Sequence, residues 1–431
     1  MLAVTSEPLS WKMLHRVGVA AREQSEHGAF NPDQVTYVVR VDGRLDLDRL
    51  ATAWTQLQKR HPVLGSRLDV GAGLWCLEDP VECPLTVSVL PGAERSADAA
   101  LHEMTAAVLR PFDFTRGPLH RLHAVEISDV QSLVGVAVDH LISDAWSIQV
   151  LFAELWQLYE SPDADLPAVE TTAPELVAQE RAWLATIEGN EALDRQVERL
   201  SSVGAQPAVV FPGMRLDAAS HERSHGARFT LGREELDRLR QCGILRGLAS
   251  GTVAHAALAG ALHLLTGQEQ LGTIMALAHR SRRSSHRTQG WLADNAVVLT
   301  QAETVKSARF LAHFGDAVIQ ALGQSKLPHM AIVARADPGL VGAPTPQPTA
   351  GFNGGVALSS RFPVRDPSGL KLTEIVIPGG WGYRAIMAHA AESDDGLQIK
   401  VSLKQRWFEP SAVDLLRDQM RDLLVHWSST A

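Results

Sequence analysis

Two carboxylates and an imidazole fall together in Asp139-His140-Leu141-Ile142-Ser143-Asp144, with Ala145, Trp146 and Ser147 directly behind. An imidazole of ordinary pKa, about 6.5, is mostly neutral near pH 7 and can accept a proton from a reacting group. A carboxylate four residues further on can cap a helix or neutralise a buried cation. With 17 histidines in the chain, His-x-x-x-Asp recurs by chance. Its setting gives it weight. The run Ser132-Leu133-Val134-Gly135-Val136-Ala137-Val138 lies immediately ahead and is apolar enough to be buried on both faces. His and Asp at the exit of such a strand are costly to desolvate unless they have partners or work to do.

The elements around this segment follow from periodicity. After Asp144, residues Trp146, Val150, Phe152, Leu155 and Tyr159 keep a helical spacing, with Ser143 or Asp144 available as N-cap. The order is therefore strand, polar turn, helix. In the second half, Gly251-Thr252 opens a helical pattern carrying Val253, Ala257, Leu258, Ala261, Leu262 and Leu265, with Gly267 as the stop. A strand over Leu271 to Leu277 leads to Arg280, Gly290 and Asn295. Leu397, Ile399, Val401 and Leu403 alternate as a half-buried strand, and Val413, Leu416, Met420 and Leu423 share a helical face. The chain exceeds one ordinary core and is expected to be α/β with three parts. These are an N-terminal lobe over 1–160, a helical linker over 161–225 after the break at Ser161 to Pro167, and a second lobe over 226–431. Gly339 to Pro348, rich in proline and glycine, reads as a loop.

Taken with Pro111-Phe112-Asp113 to Arg121 and with Arg60-His61-Pro62 upstream, the central segment resembles the condensation domains of nonribosomal peptide synthetases. These are acyltransferases of the chloramphenicol-acetyltransferase type with the core motif HHxxxDG. The resemblance covers roughly the whole chain. It implies two such αβ lobes in a V-shaped pseudo-dimer with the active site in a channel between them. It also implies transfer of an acyl group from a phosphopantetheine thioester, on an acyl or peptidyl carrier protein or on CoA, to a small-molecule amine or hydroxyl acceptor.

On that resemblance His140 is the catalytic, proton-handling residue. Asp144 is a structural partner of Arg280 from the other lobe, Ser147 helps to orient substrate, and Ala145, Trp146 and Asn295 border the channel, although Trp146 also suits helix packing. Asp139 stands where the family has its first His, and Ala145 where it has Gly. These two changes raise two alternatives. Asp139, Asp144 and Ser147 complete the DxxxxDxxS pattern of heterocyclisation domains, and a substituted core motif also occurs in condensation-like modules that recruit a partner enzyme without catalysis. Retention of His140, Asp144 and Arg280 favours amide or ester formation.

A net charge of −9 argues against a nucleic-acid-binding surface, although Arg280, Arg282, Arg283 and Arg287 together can meet a phosphate. Cys76, Cys83 and Cys242 have no metal-type spacing and cannot all pair within one chain, which suits a reducing cytoplasm. No secretory leader or membrane-spanning run is evident. Neither an adenylation segment, nor a Walker loop, nor a carrier serine motif is present, so a free-standing enzyme is expected, with no metal or cofactor of its own and with phosphopantetheine arriving on the substrate.

Overall fold

The structure is a computed structural model that describes every residue except 1–4, 28–32, 78–82, 93–94, 212–213, 215–223, 242–248, 304, 344–346, 356–360, 378–383 and 431. Cys242 and part of the Gly339–Pro348 loop lie outside the described residues. The fold is mixed α/β, in two compact units assembled from interleaved segments. One comprises residues 1–184, 278–293 and 358–380, and the other 185–277, 294–357 and 381–431.

The first unit runs β1 (Thr5–Pro8), α1 (Trp11–His27), β2 (Gln34–Asp42), α2 (Leu47–Arg60), β3 (Ser66–Asp69), β4 (Leu74–Leu77), β5 (Thr86–Val89), α3 (Ala97–Val108), β6 (His120–Ser128), β7 (Gln131–Asp139), α4 (Ala145–Glu160) and α5 (Ala173–Leu184). The late strand β12 (Lys371–Ile375) joins them. Five strands form one sheet in the order β12-β2-β7-β6-β5, and β1, β4 and β3 form a small antiparallel sheet. Strand β7 is central, antiparallel to both β2 and β6, and buried from Ser132 to Asp139. Its continuous Val-rich run therefore replaces the alternation of a half-exposed strand. Gly135 permits the close approach of α3: a Cβ there would stand 2.5 Å from Met104 Sδ and 3.0 Å from Val108.

The second unit holds α6 (Ile187–Arg199), β8 (Ser224–Gly232), α7 (Arg233–Gln241), α8 (Ser250–Thr266), β9 (Gln270–Leu277), β10 (Asp294–Gln301), α9 (Ala308–Gly323), α10 (His329–Ala336), β11 (Ala350–Gly355), β13 (Ile386–Ser393), β14 (Gly396–Lys404) and α11 (Pro410–Thr430). Its sheet has the order β10-β9-β11-β13-β14-β8. Along β14, Leu397, Ile399, Val401 and Leu403 are all buried, and α11 turns Val413, Leu416, Met420 and Leu423 into the same core. Helix α8 closes on Gly267 in the left-handed region at φ 69°. It starts before Thr252, however, with Ala249 in the N-cap position and no side-chain cap, so Thr252 lies inside the first turn.

Two features depart from a contiguous division of the chain. The helical stretch after Pro167 is two helices, and the boundary between units falls between them, leaving α5 with the first unit and α6 with the second. Residues 278–293 and 358–380 also belong with the first unit. The reason is hydrogen bonding: β12 pairs antiparallel with β2, from Lys371 opposite Asp42 to Ile375 opposite Val38, and the 278–293 loop is tied to α4.

Candidate active site

The polar turn after β7 is built by its own backbone. The Asp139 N–H closes the sheet ladder on Leu119 O at 2.8 Å, the His140 N–H reaches Asp33 O at 2.9 Å, and the Ile142 N–H turns back to Asp139 O at 3.0 Å. Asp144, in extended conformation, then caps α4 by accepting the Ser147 N–H at 2.8 Å.

The other oxygen of Asp144 is the centre of a buried node. Oδ2 accepts from Arg280 Nη1 at 2.7 Å and from the N–H groups of Leu292 and Ala293 at 2.9 and 2.8 Å. Arg280 Nη2 donates to Ser147 Oγ at 2.7 Å, and that hydroxyl donates to Gly290 O at 2.9 Å. Burial alone would raise the Asp144 pKa, but the Arg280 guanidinium and the Ser147 and Ala293 amides hold it below the usual carboxylate range. The side chains of Arg280 and Asp144 are 0% and 1% exposed, so the charges meet each other and not water. The structure thus brings Asp144, Ser147 and Arg280 together, and places Arg280 in the same unit as Asp144 instead of the opposite lobe. It reaches the node from a sharp bend, since the preceding residue, His279, sits in the left-handed region at φ 52°.

His140 takes no part in the node. Its ring is partly buried, Nδ1 is shielded from solvent, and neither ring nitrogen hydrogen-bonds to a described residue. Its nearest aromatic neighbour is Trp291, with ring centroids 4.7 Å apart and a 57° tilt. The contrast is His255 on α8, fully buried, with Nε2 2.8 Å from Thr273 Oγ1, its ring stacked on Phe352 and its pKa pushed down to about 3 by burial: a histidine packed within a core.

Asp139 points elsewhere. Both of its oxygens face Arg16 on α1, with Nη2 3.1 Å from Oδ2 and Nη1 bonded to Oδ1, and Oδ1 also accepts the Leu141 N–H at 2.9 Å. Burial would lower the Arg16 pKa, but Asp139 and Asp33 raise it, so the guanidinium stays charged. Asp139 is therefore a buried counter-ion.

The remaining residues separate. Ala145 is exposed on the first turn of α4. Trp146 is packed, with its N–H on His286 O at 2.9 Å, its ring against Phe362, and the Arg361 guanidinium 4.6 Å from its centroid. Asn295 lies on β10 in the second unit, opposite Ala276 of β9. Of the basic run, Arg280 is consumed by Asp144, Arg287 reaches Glu154 at 3.4 Å, and Arg282 and Arg283 are exposed.

Sequence reasoning passed over three groups. Arg16 lies on the stripe of α1 that carries Met13, Val17 and Ala20, where a charge among apolar positions signals a buried partner. Glu154 on α4, wholly buried, takes Arg60 Nε at 3.0 Å and His61 Nε2 at 2.8 Å. Burial would raise its pKa; His61 and Arg60 bring it below the usual range. Lys12 and Trp291 are the third group. Among the described residues no cluster of His, Cys, Asp and Glu is arranged to hold a metal ion, and no helix is long and apolar enough to cross a membrane.

Comparison with known proteins places this geometry in a family. The family model for the condensation domain matches residues 25–338, a span that contains the β7 turn, α4 and Arg280. The chain belongs to the condensation-domain family. Over 320 residues it is 27% identical to a plipastatin synthase protein of Bacillus subtilis (strain 168), a match covering 70% of this chain and 12% of that protein, so the chain spans a small part of this relative. The X-domain from teicoplanin biosynthesis, also solved in a complex with OxyB, superposes on it with a TM-score of 0.82 at 18% identity, covering 100% of this chain and 96% of that one. The condensation domain from the monacolin K polyketide synthase MokA gives 0.79 at 17% identity, covering 99% and 98%. These likenesses establish the condensation-domain fold for this member of the family.

Proposed function

We propose that this condensation domain forms an amide or ester by acyl transfer, using His140 to handle the acceptor's proton. The acceptor nitrogen or oxygen attacks the thioester carbonyl carbon, the C–S bond breaks, and the proton taken up at His140 passes to the departing thiolate. Phosphopantetheine on a carrier protein, or CoA, supplies the thioester, and the protein works in a reducing cytoplasm. The observation that carries this reading is His140 itself: a histidine at the end of the central strand, next to a fully neutralised Asp144–Arg280 node, with both ring nitrogens unclaimed by the described residues. Asp144 and Arg280 hold the turn and leave proton transfer to the imidazole. The pair is internally neutral, so it fixes geometry without adding net charge beside the reacting carbonyl.

Heterocyclisation draws no support from Asp139, whose oxygens are occupied by Arg16 and the Leu141 amide. The recruitment reading draws on the substitutions at Asp139 and Ala145 and on the X-domain as a structural neighbour. Intact-mass analysis of acyl-loaded carrier proteins after incubation with this chain and candidate amines or alcohols separates the readings. Unloading with appearance of a condensed product supports catalysis, a product lighter by one water supports cyclisation, and binding of a partner enzyme with no turnover of any donor supports recruitment.

A further inference from the structure

Segment 290–293 is fixed from several sides at once. The N–H groups of Leu292 and Ala293 end on Asp144 Oδ2, and the carbonyls of the same two residues accept from Lys12 Nζ at 3.1 and 2.8 Å. The Gly290 carbonyl is held by Ser147 Oγ and Arg280, and Gly290 itself has φ 153°, where a Cβ would fall 2.4 Å from Ala173 Cβ. Lys12 lies in the first turn of α1, the positive end of the helix dipole, an unfavourable place for an ammonium; two carbonyls and the face of Trp291, 5.5 Å from Nζ, offset it. The side chain thus presented is Trp291, and it meets His140.

We propose that Trp291 is a positioning residue for His140, setting the orientation of the imidazole for the acyl transfer proposed above, on which the inference rests. A histidine's χ2 is broad and roughly two-fold, and no described polar group restrains the His140 ring. The indole at 4.7 Å, inside the range of aromatic pairs, is the neighbour that limits its swing. Asp144, which makes no hydrogen bond to His140, thereby acts on it at one remove, through the backbone of Leu292 and Ala293 and the adjoining Trp291 indole.

The test compares Trp291→Leu, Trp291→Phe and Lys12→Met with the wild-type chain. Nuclear magnetic resonance of the His140 ring C–H groups, assigned with His140→Ala, reads the contact without any substrate. The indole ring current displaces these resonances in the wild type. The displacement vanishes in Trp291→Leu, survives in part in Trp291→Phe and shrinks in Lys12→Met. With a working acyl donor, kcat falls about 10- to 100-fold in Trp291→Leu while KM stays within about twofold, and Trp291→Phe recovers most of the loss, as expected for a misplaced catalytic group. Unchanged His140 resonances in a folded Trp291→Leu chain overturn the contact. Lost displacement with unchanged kcat overturns the positioning role. A wild-type chain inert with carrier-bound and CoA donors alike refutes the acyl-transfer reading and this role with it, while the spectra still decide whether the contact exists.

Discussion

Removing the Asp144 carboxylate leaves a guanidinium with nowhere to go. The Arg280 side chain has no exposed surface, and its remaining hydrogen-bond acceptors are the Ser147 hydroxyl and backbone carbonyls. Breaking such a buried pair from one side costs about 3–5 kcal/mol, and the Leu292 and Ala293 amides lose their bonds to the carboxylate as well. For a unit of roughly 200 residues, each kcal/mol moves Tm by about 2–4 °C, so Asp144→Ala is expected to melt about 6–20 °C below wild type. Replacing both partners by apolar residues, Asp144→Leu with Arg280→Met, is expected to cost far less than the sum of the single changes. The pH dependence has a definite sign. The folded-state pKa of Asp144 is depressed, so its contribution is complete above the unfolded value of about 4 and is lost as pH falls through the folded value. Wild type therefore loses stability in acid through a component that Asp144→Ala lacks. Thermal unfolding of wild type, Asp144→Ala, the double mutant and its two single mutants from pH 7 down to 3 reads all of this. A single-mutant Tm within about 2 °C of wild type, or strictly additive effects in the double mutant, would refute the buried node.

Three further outcomes follow from the same geometry. His140→Ala should lower turnover by roughly 10²-fold or more with Tm unchanged, because the imidazole is not a hydrogen-bonded core element; wild-type turnover in the intact-mass assay would remove it from the mechanism. Asp139→His, which restores the family's usual residue, should lose stability, but less than the about 3–5 kcal/mol of a fully stranded charge because Asp33 Oδ2 still faces Arg16 Nε at 3.3 Å, and Arg16→Met in the same chain should recover much of it; a fully stable single mutant counts against the pair. Glu154→Gln should destabilise by about 3 kcal/mol at pH 7, and the gap to wild type should narrow in acid because the Glu154 pKa is also depressed; a gap independent of pH on chemical denaturation would contradict it.

What could be seen in the sequence was what local pattern encodes. The Val-rich run gave β7, Asp144 in front of Trp146 and Val150 gave the capped start of α4, and the alternation from Leu397 to Leu403 gave β14. Counter-charges were another matter. A buried Asp139 demands a cation somewhere, yet nothing near residue 139 names Arg16, which arrives from α1. The membership of segment 278–293 was hidden for a related reason: it has no apolar period, and side chains on α4 such as Ser147, together with its own Gln289, hold its backbone in place. Trp291 could have been core, surface or site by composition alone; only the clamp on its flanking residues gives it a direction.

The interleaving of the first unit has a consequence for how the chain is made. Arg280 leaves the ribosome 136 residues after Asp144, and β12 follows later still. At roughly 5–20 residues per second, Asp144 waits about 7–27 seconds for its cation, and the edge of β2 that will receive β12 stays open longer. During that interval a nascent first unit carries an unneutralised acid at a site destined for burial and an unpaired strand edge, the two features that most invite misassembly. Folding of this unit is thus tied to completion of chain beyond residue 370, and its native state is a late event in synthesis even though most of its residues are made first.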